Sequence, residues 1–191
     1  MKILLLDGNS LTYRAFFALP TDMATASGQV TNAVFGFTSM LAYMVKDQQP
    51  DGIAVAFDRP EPTFRHEADP NYKAQREAAP DILRQQMGLV REVLAALNIT
   101  TLDLAGWEAD DIIATLTEKA VGEGHDVVIV TGDRDSYQLV SDPHVKVLYN
   151  KRGVSDYALY DEAGIAEKTG VTPALYPQYA CLLYTSPSPR D

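Results

Sequence analysis

Three short apolar runs, each ending in a polar turn, constrain the fold of this chain more than any other feature of its sequence. The runs are Lys2 to Leu6, Gly52 to Phe57 and Asp126 to Val130. Short continuous runs rich in valine, isoleucine and leucine are typical of strands buried on both faces of a sheet, so we predict three central strands. Weaker strand patterns lie at Ile99 to Leu104 and Val145 to Tyr149.

Helix-length stretches with apolar residues three or four positions apart lie between these runs. They are Thr31 to Lys46, Asp81 to Leu97 and Glu108 to Val121. Strands that alternate with helices of this length need crossover connections, which predicts an α/β fold with a mainly parallel central sheet flanked by helices. The stretch from Asp58 to Pro80 has no clear period and contains four prolines. We predict a long functional loop there.

Composition excludes several classes of protein. Hydrophobic residues make up 46% of the chain and charged residues 22%, which is ordinary globular usage. The apolar stretches fit neither a transmembrane helix nor a signal peptide. A single cysteine, Cys181, excludes a disulfide scaffold and a cysteine-based zinc site. This usage agrees with a reducing cytoplasm, where we expect the protein to be located.

An aspartate follows each of the three predicted central strands. Asp7, Asp58 and Asp133 each lie within a few residues of a strand end. Because the carboxyl ends of parallel strands meet at one edge of a sheet, the three side chains are expected to converge there. Aspartate is also a common helix cap at such positions. Its presence after all three strands nevertheless predicts an acidic site.

Two further groups of acids extend this set. Glu108, Asp110 and Asp111 crowd the first turn of a predicted helix, and Glu108 and Asp111 share a face because they are three residues apart. Asp133 and Asp135 follow a glycine turn and are two residues apart, so they can flank one cation. The alternatives are a favourable interaction with the helix dipole for the first group and a solvated turn for the second.

The charge balance of the chain depends on what these seven acids do. With 26 acidic and 16 basic residues, the formal charge is −10, which argues against a nucleic-acid binder that relies on lysines. Setting the seven acids aside leaves 19 acidic residues against 16 basic ones. Oxygen ligands favour Mg²⁺ or Mn²⁺ over zinc. A carboxylate cluster that holds such ions suits phosphodiester hydrolysis.

A basic segment supplies cations for a phosphate substrate. Lys73 and Arg76 are three residues apart, which places them on one face of a predicted nascent helix, with Tyr72 as a stacking platform. A solvated basic turn is the alternative explanation. Arg14, shortly after the first aspartate, is a further candidate for substrate binding. Trp107 is interpreted as a packing residue.

Five motifs, in order, resemble the 5′-nuclease family, which includes the flap endonucleases and the amino-terminal domain of bacterial DNA polymerase I and belongs to the wider PIN-like fold. The motifs are Leu6-Asp7-Gly8-Asn9-Ser10 with Tyr13-Arg14-Ala15, Ala56-Phe57-Asp58, Tyr72-Lys73-Ala74-Gln75-Arg76, Glu108-Ala109-Asp110-Asp111, and Thr131-Gly132-Asp133-Arg134-Asp135. The resemblance runs from Met1 to about Leu182.

This resemblance implies a 5′–3′ exonuclease and flap endonuclease that uses two Mg²⁺ or Mn²⁺ ions. Its partner would be DNA with 5′ ends, flaps or nicks, in replication and repair, and a polymerase domain would belong to the full-length protein. Lys73 and Arg76 would contact the scissile phosphate as catalytic residues, and Arg14 and Tyr72 would bind substrate beside them. The residues implied as metal ligands are Asp7, Asp58, Glu108, Asp110, Asp111, Asp133 and Asp135.

The sequence departs from the family pattern near its carboxyl end. The family continues with a Gly-Asp…Ser-Asp-Asn motif and a helix–hairpin–helix element, and neither is present here. We therefore expect residues 1–180 to form a truncated 5′-nuclease domain of impaired activity, and residues 181–191 to form an irregular Ser/Pro tail.

Other functions fit the sequence less completely. A non-cleaving module that binds DNA structures and an RNA-cleaving PIN-domain nuclease are the two main alternatives. A haloacid-dehalogenase phosphatase would need an aspartate where Asn9 stands. A receiver domain would need adjacent acids before the end of the first strand.

Overall fold

A six-stranded sheet forms the centre of the computed structural model, which describes residues 1–75 and 78–185, with side chains as far as Leu182. The strands are β1 (Lys2–Asp7), β2 (Gly52–Ala56), β3 (Thr100–Leu102), β4 (Asp126–Thr131), β5 (Val145–Arg152) and β6 (Asp156–Tyr160). Their order is β3-β2-β1-β4-β5-β6. All neighbouring pairs are parallel except β5 with β6, which confirms the predicted fold class.

Helices cover both faces of this sheet. They are α1 (Gly8–Ala18), α2 (Asn32–Gln48), α3 (Phe64–Ala68), α4 (Asp81–Ala96), α5 (Ala109–Gly122), α6 (Glu162–Thr169) and α7 (Tyr176–Thr185). Short 3₁₀ helices lie at Arg134–Leu139 and Pro173–Leu175. One apolar core joins α1, α2 and α4 to one face of the sheet. A second core joins α5, α6 and α7 to the other face.

The sheet alternates its side chains between the two cores. Leu4 and Leu6 of β1 face the first core, and Leu5 between them faces the second. This period of two is what a strand covered on both faces requires. It explains why the strand runs are apolar at almost every position. β1 lies between β2 and β4 in the sheet.

Helix α1 begins at once after β1, because Gly8 allows the chain to turn against the core. A Cβ at Gly8 would come within 2.4 Å of the Phe57 ring. Asp7 caps the helix, since its side chain accepts a hydrogen bond from the Ser10 amide at 2.9 Å. The apolar pattern of residues 8–18 had not indicated this helix. It places Asn9, Ser10 and Arg14 beside the end of β1.

The loop predicted from Asp58 to Pro80 contains one short helix, α3. Residues 71–75 form turns, and Lys73 has a left-handed backbone with φ of 55°. The predicted nascent helix over 71–76 is therefore wrong for the described residues, because a left-handed residue interrupts helical hydrogen bonding. Arg76 lies outside the described residues.

The carboxyl end of the described chain is helical. Helix α7 continues to Thr185, so the first five residues of the predicted irregular tail belong to a helix. Tyr176 of this helix is buried in the second core, which explains why the helix persists there. Residues 186–191 lie outside the described part of the chain. None of the described helices is long and apolar enough to cross a membrane.

Candidate active site

An acidic pocket of about 870 Å³ opens at the carboxyl edge of the sheet, where β1, β2 and β4 end. The three aspartates predicted to converge, Asp7, Asp58 and Asp133, all line it. Within the described residues, six of the seven predicted acids are in its wall: Asp7, Asp58, Glu108, Asp110, Asp133 and Asp135. Sequence reasoning from strand ends therefore located this pocket correctly.

Asp7 is the most deeply buried of these acids, with 6% of its surface exposed. Its second carboxylate oxygen accepts a hydrogen bond from the Thr131 hydroxyl at 3.0 Å, and that hydroxyl accepts one from the Asp133 amide at 2.9 Å. Burial raises the pKa of Asp7 to about 6, and the neighbouring Asp58 and Asp133 charges add to the rise. The end of β1 is thus joined directly to the turn after β4.

Asp58 links the end of β2 to the start of α5. Its carboxylate accepts a hydrogen bond from the Ala109 amide at 2.7 Å, which satisfies one of the free amides of that helix terminus. Its own amide donates to the Asn9 side chain at 3.0 Å. Asn9 therefore fixes Asp58 from α1. A pair of this kind cannot be found from periodicity, since the partners are 49 residues apart.

Asp110 has a more strongly raised pKa than Asp7. One of its carboxylate oxygens is buried and has no hydrogen-bond partner among the described residues. Burial, together with the charges of Asp7, Asp133 and Asp58, raises the pKa of Asp110 to about 7. A buried, unpaired acceptor among like charges costs folding free energy. Such a group is suited to hold a cation.

The turn after β4 brings two more acids and a cation together. The Asp133 side chain accepts a hydrogen bond from the Asp135 amide at 2.9 Å, so it caps the following 3₁₀ helix. A Cβ at Gly132 would lie 3.0 Å from the Arg14 guanidinium. The absence of a side chain at Gly132 therefore makes room for Arg14, which lines the pocket. Its role in substrate binding stays a prediction.

Glu108 accepts hydrogen bonds from the basic segment that was predicted to bind a phosphate. Lys73 Nζ donates to one oxygen of Glu108 at 3.0 Å, and the Tyr72 hydroxyl donates to the other at 3.1 Å. Burial, the largest single effect, would lower the pKa of Lys73, but its interactions with Glu108 and Tyr72 together raise that pKa. The Tyr72 ring packs edge-on against His66 at 5.2 Å. Lys73 lines the acidic pocket, whereas Tyr72 is not among the described residues that line it.

Asp111 is not brought to the pocket, contrary to the prediction that it binds metal. Both of its carboxylate oxygens accept hydrogen bonds from the Arg65 guanidinium at 2.7 Å, and these bonds lower its pKa. One of them also accepts from the Glu108 amide at 3.0 Å. Asp111 therefore caps α5 and ties it to α3. Sequence reasoning missed Arg65 because nothing in its spacing relates it to Asp111.

Trp107 is not the packing residue that we expected. Its surface is 46% exposed, and its ring lies 5.0 Å from that of Phe64, which is 43% exposed. The indole belongs to the turn between β3 and α5, directly before the N-cap Glu108.

The donor set of the acidic pocket fits divalent cations by charge and chemistry. Its wall holds six carboxylates, including the unpaired oxygen of Asp110. Across residues 1–75 and 78–185, no three His, Cys, Asp or Glu side chains are arranged to hold an ion as they stand. The pocket is wide, and the carboxylates are spread around it. Ions held here would keep part of their water shell, as Mg²⁺ does in proteins.

A family model for the 5′-3′ exonuclease N-terminal resolvase-like domain matches residues 2–170. The chain belongs to this family. It is 50% identical over 181 residues to DNA polymerase I of Mycobacterium bovis, and 46% identical over 172 residues to DNA polymerase I of Bacillus caldotenax. These matches cover 94% and 90% of the chain but only 20% and 19% of the relatives. The chain thus spans about a fifth of the length of these polymerases.

Solved structures show the same fold at lower identity. The T5 D15 protein co-crystallized with metal ions has a TM-score of 0.69 and 19% identity, over 92% of this chain and 64% of that one. The bacteriophage T5 flap endonuclease in a pseudo-enzyme-product complex with DNA and metal ions has a TM-score of 0.66 and 20% identity, over 90% and 61%. Human GEN1 in complex with Holliday junction DNA has a TM-score of 0.58 and 16% identity, over 95% and 44%.

Proposed function

We propose that this domain is a divalent-metal-dependent 5′-nuclease that hydrolyses phosphodiester bonds of DNA. One observation carries the proposal: Asp110 presents a buried, unpaired carboxylate oxygen in a pocket with five other acids. Family membership over residues 2–170 supports the same function. The acids are costly for folding in the metal-free chain, and cations that neutralise them would offset that cost.

We propose that the pocket holds two divalent ions, Mg²⁺ or Mn²⁺. Six carboxylates and an all-oxygen donor set suit hard cations. The chemistry that such ions supply is activation of the attacking water and neutralisation of the leaving oxygen. Asp7, Asp58, Glu108, Asp110 and Asp133 would hold them. Asp135 is more exposed and would act through bound water.

Cations of the chain itself would position the substrate. Lys73 Nζ and the Arg14 guanidinium both line the pocket, so a phosphate that enters meets positive charge from α1 and from the 71–75 turns. In hydrolysis, water attacks phosphorus, the bond to the leaving oxygen breaks, and that oxygen takes a proton. Lys73 would stabilise the charge that develops on the phosphate. Arg76, predicted for the same role, stays a prediction.

The proposed substrates are DNA 5′ ends, flaps and nicked duplexes, in replication and repair. The relatives named DNA polymerase I are about five times longer than this chain. We propose that a polymerase domain accompanies this nuclease domain in the full-length protein. The cytoplasmic location and the domain boundary at residue 180 stay predictions.

Cleavage of a 5′-labelled flap DNA tests the proposal. We expect product with Mg²⁺ or Mn²⁺, none with EDTA, and none from Asp110→Asn. Asp47→Asn is the matched control, because Asp47 is an exposed acid at the end of α2, away from the pocket. Binding without cleavage under all conditions would favour a non-cleaving DNA-structure-binding module. Faster cleavage of the matching RNA would favour a PIN-type ribonuclease.

A further inference from the structure

An exposed aromatic pair lies beside the acidic pocket and has no part in the chemistry described above. Phe64 begins α3 and Trp107 precedes α5, and their ring centroids are 5.0 Å apart. Each has more than 40% of its surface exposed. Large exposed aromatic side chains that contact each other are uncommon on a surface with no ligand, because their burial is favourable.

The pair is held in place by its surroundings. The Phe64 amide donates a hydrogen bond to the Gly106 carbonyl at 3.2 Å, so the backbones of the two residues are joined. The Arg65 guanidinium lies 4.6 Å from the centre of the Phe64 ring while it binds both oxygens of Asp111. Because α3 and α5 are tied together at this point, the two rings form a fixed surface.

A second cavity, of about 260 Å³, connects this surface to the acidic pocket. Asp58, Lys73 and Glu108 line both cavities, so the second begins where the first ends. Its other wall includes the Trp107 side chain. Lys73 and Trp107 thus border the same cavity, so a strand that leaves the acidic pocket past Lys73 comes within reach of Trp107.

We propose that the unpaired strand of a DNA flap leaves the acidic pocket through this second cavity and stacks a base on the Phe64–Trp107 pair. The proposal rests on the proposed nuclease function and names the route of its substrate. Stacking on aromatic rings tolerates any base, which suits a strand of arbitrary sequence. Lys73 at the junction and Arg59 in the wall of the second cavity supply positive charge along the path of the backbone, beside the three acids of that wall. Continuity with the acidic pocket favours a nucleic-acid strand over a protein partner.

Fluorescence of Trp107 tests the contact directly, because it is the only tryptophan in the sequence. We expect single-stranded oligodeoxythymidylate, added in EDTA, to quench this fluorescence in a saturable way. Phe64→Leu keeps the reporter and should weaken the apparent affinity severalfold. Phe35→Leu is the matched control, since Phe35 is also an exposed phenylalanine but lies on α2, whereas Phe64 contacts the Trp107 ring. Absence of quenching, or equal loss in both variants, would overturn the proposal.

Cleavage assays separate this proposal from the nuclease function itself. Phe64→Leu and Trp107→Ala should lower kcat/KM on a DNA with a long 5′ flap by about tenfold, as for the loss of one stacked base, and lower it much less on a nicked duplex without a flap. Equal losses on the two substrates would contradict the strand path while leaving the nuclease function intact. No cleavage by the parent chain, with quenching retained, would instead count against the nuclease function alone.

Discussion

Lys73 Nζ lies 3.0 Å from a carboxylate oxygen of Glu108 and donates a hydrogen bond to it. The cation proposed to meet the scissile phosphate is therefore bound, in the free chain, to an acid proposed to hold a metal ion. Binding of substrate and metal would replace both partners: Lys73 would contact the phosphate, and Glu108 would hold the ion. Until then, the hydrogen bond between them holds the two side chains together.

Removal of the Lys73 charge should therefore impair chemistry more than binding. Lys73→Met keeps most of the aliphatic stem, and we expect kcat on flap DNA to fall by about a hundredfold, the usual effect of removing one group that stabilises developing charge. KM should change by a smaller factor. Lys46→Met, on the last turn of α2, is the control. A rise in KM with kcat preserved would show that Lys73 only tethers phosphate.

Metal-free stability should fall as pH rises. The folded-state pKa of Asp7 is raised to about 6 and that of Asp110 to about 7, so between pH 4 and pH 7 the folded chain binds more protons than the unfolded one. Stability in EDTA is then highest at the acid end of this window and declines through it. Urea denaturation at pH 5 and pH 8 measures the difference.

Asp110→Asn should remove part of that decline. The variant keeps the shape of the side chain without its charge, so at pH 8 in EDTA it should unfold at higher urea than the parent. A shift of three pKa units sets an upper limit of about 4 kcal/mol on the gain. The same variant should be inactive. A loss of both stability and activity would show that Asp110 is a structural cap.

Divalent cations should stabilise the parent chain. At one hundred times the dissociation constant, an ion that binds only the folded state adds about 2.7 kcal/mol. Thermal melting with Mg²⁺ and with EDTA measures this, and Asp133→Asn should reduce the difference. If saturating Mg²⁺ left the melting temperature of the parent unchanged, the acidic pocket would not be a metal site.

The Arg65–Asp111 pair should matter for the position of Glu108. Arg65→Lys loses the two-pronged contact with Asp111 but keeps a charge, and we expect stability to fall by about 1.5 kcal/mol or more. Because Asp111 also holds the Glu108 amide, cleavage should fall beyond what unfolding explains. Arg84→Lys, an exposed arginine on α4, is the control. Full activity in the folded Arg65 variant would contradict this coupling.

Gly8 should be intolerant of any side chain. Gly8→Ala forces a methyl group against the Phe57 ring, which costs about 1–3 kcal/mol and should lower the melting temperature by several degrees. Gly88→Ala is the matched control, because it lies in α4 with nothing within 4 Å of its new methyl group. That change should instead stabilise the chain by about 0.5–1 kcal/mol. Equal effects would contradict the packing argument.

Strand ends were predictable because a strand buried on both faces has a nearly continuous apolar sequence. The runs before Asp7 and Asp58 are apolar at almost every position, so the sheet edge and the convergence of its acids followed from the sequence. Helix α1 was missed because its buried and exposed positions mix polar and apolar types: Thr12 is fully buried, whereas Phe17 is 70% exposed.

Partners far apart in the sequence explain what could not be predicted in the site. Asp111 is three residues from Glu108 and was therefore expected to face the same pocket. Only the position of α3 shows that its carboxylate binds Arg65 instead. The exposure of Trp107 could not be predicted for the same reason, because it depends on how α3 packs against the turn before α5. Spacing along one helix says which residues share a face, but not what that face meets.

The bond between Asp7 and Thr131 joins residues 124 positions apart, and this separation has a consequence for how the protein is made. The ribosome adds Thr131 only 124 residues after Asp7. Until β4 has been translated and has paired with β1, the acids do not line a common pocket. A growing chain would therefore carry the residues of the proposed nuclease site before that site forms, and could not cleave nearby nucleic acid until β4 has joined the sheet.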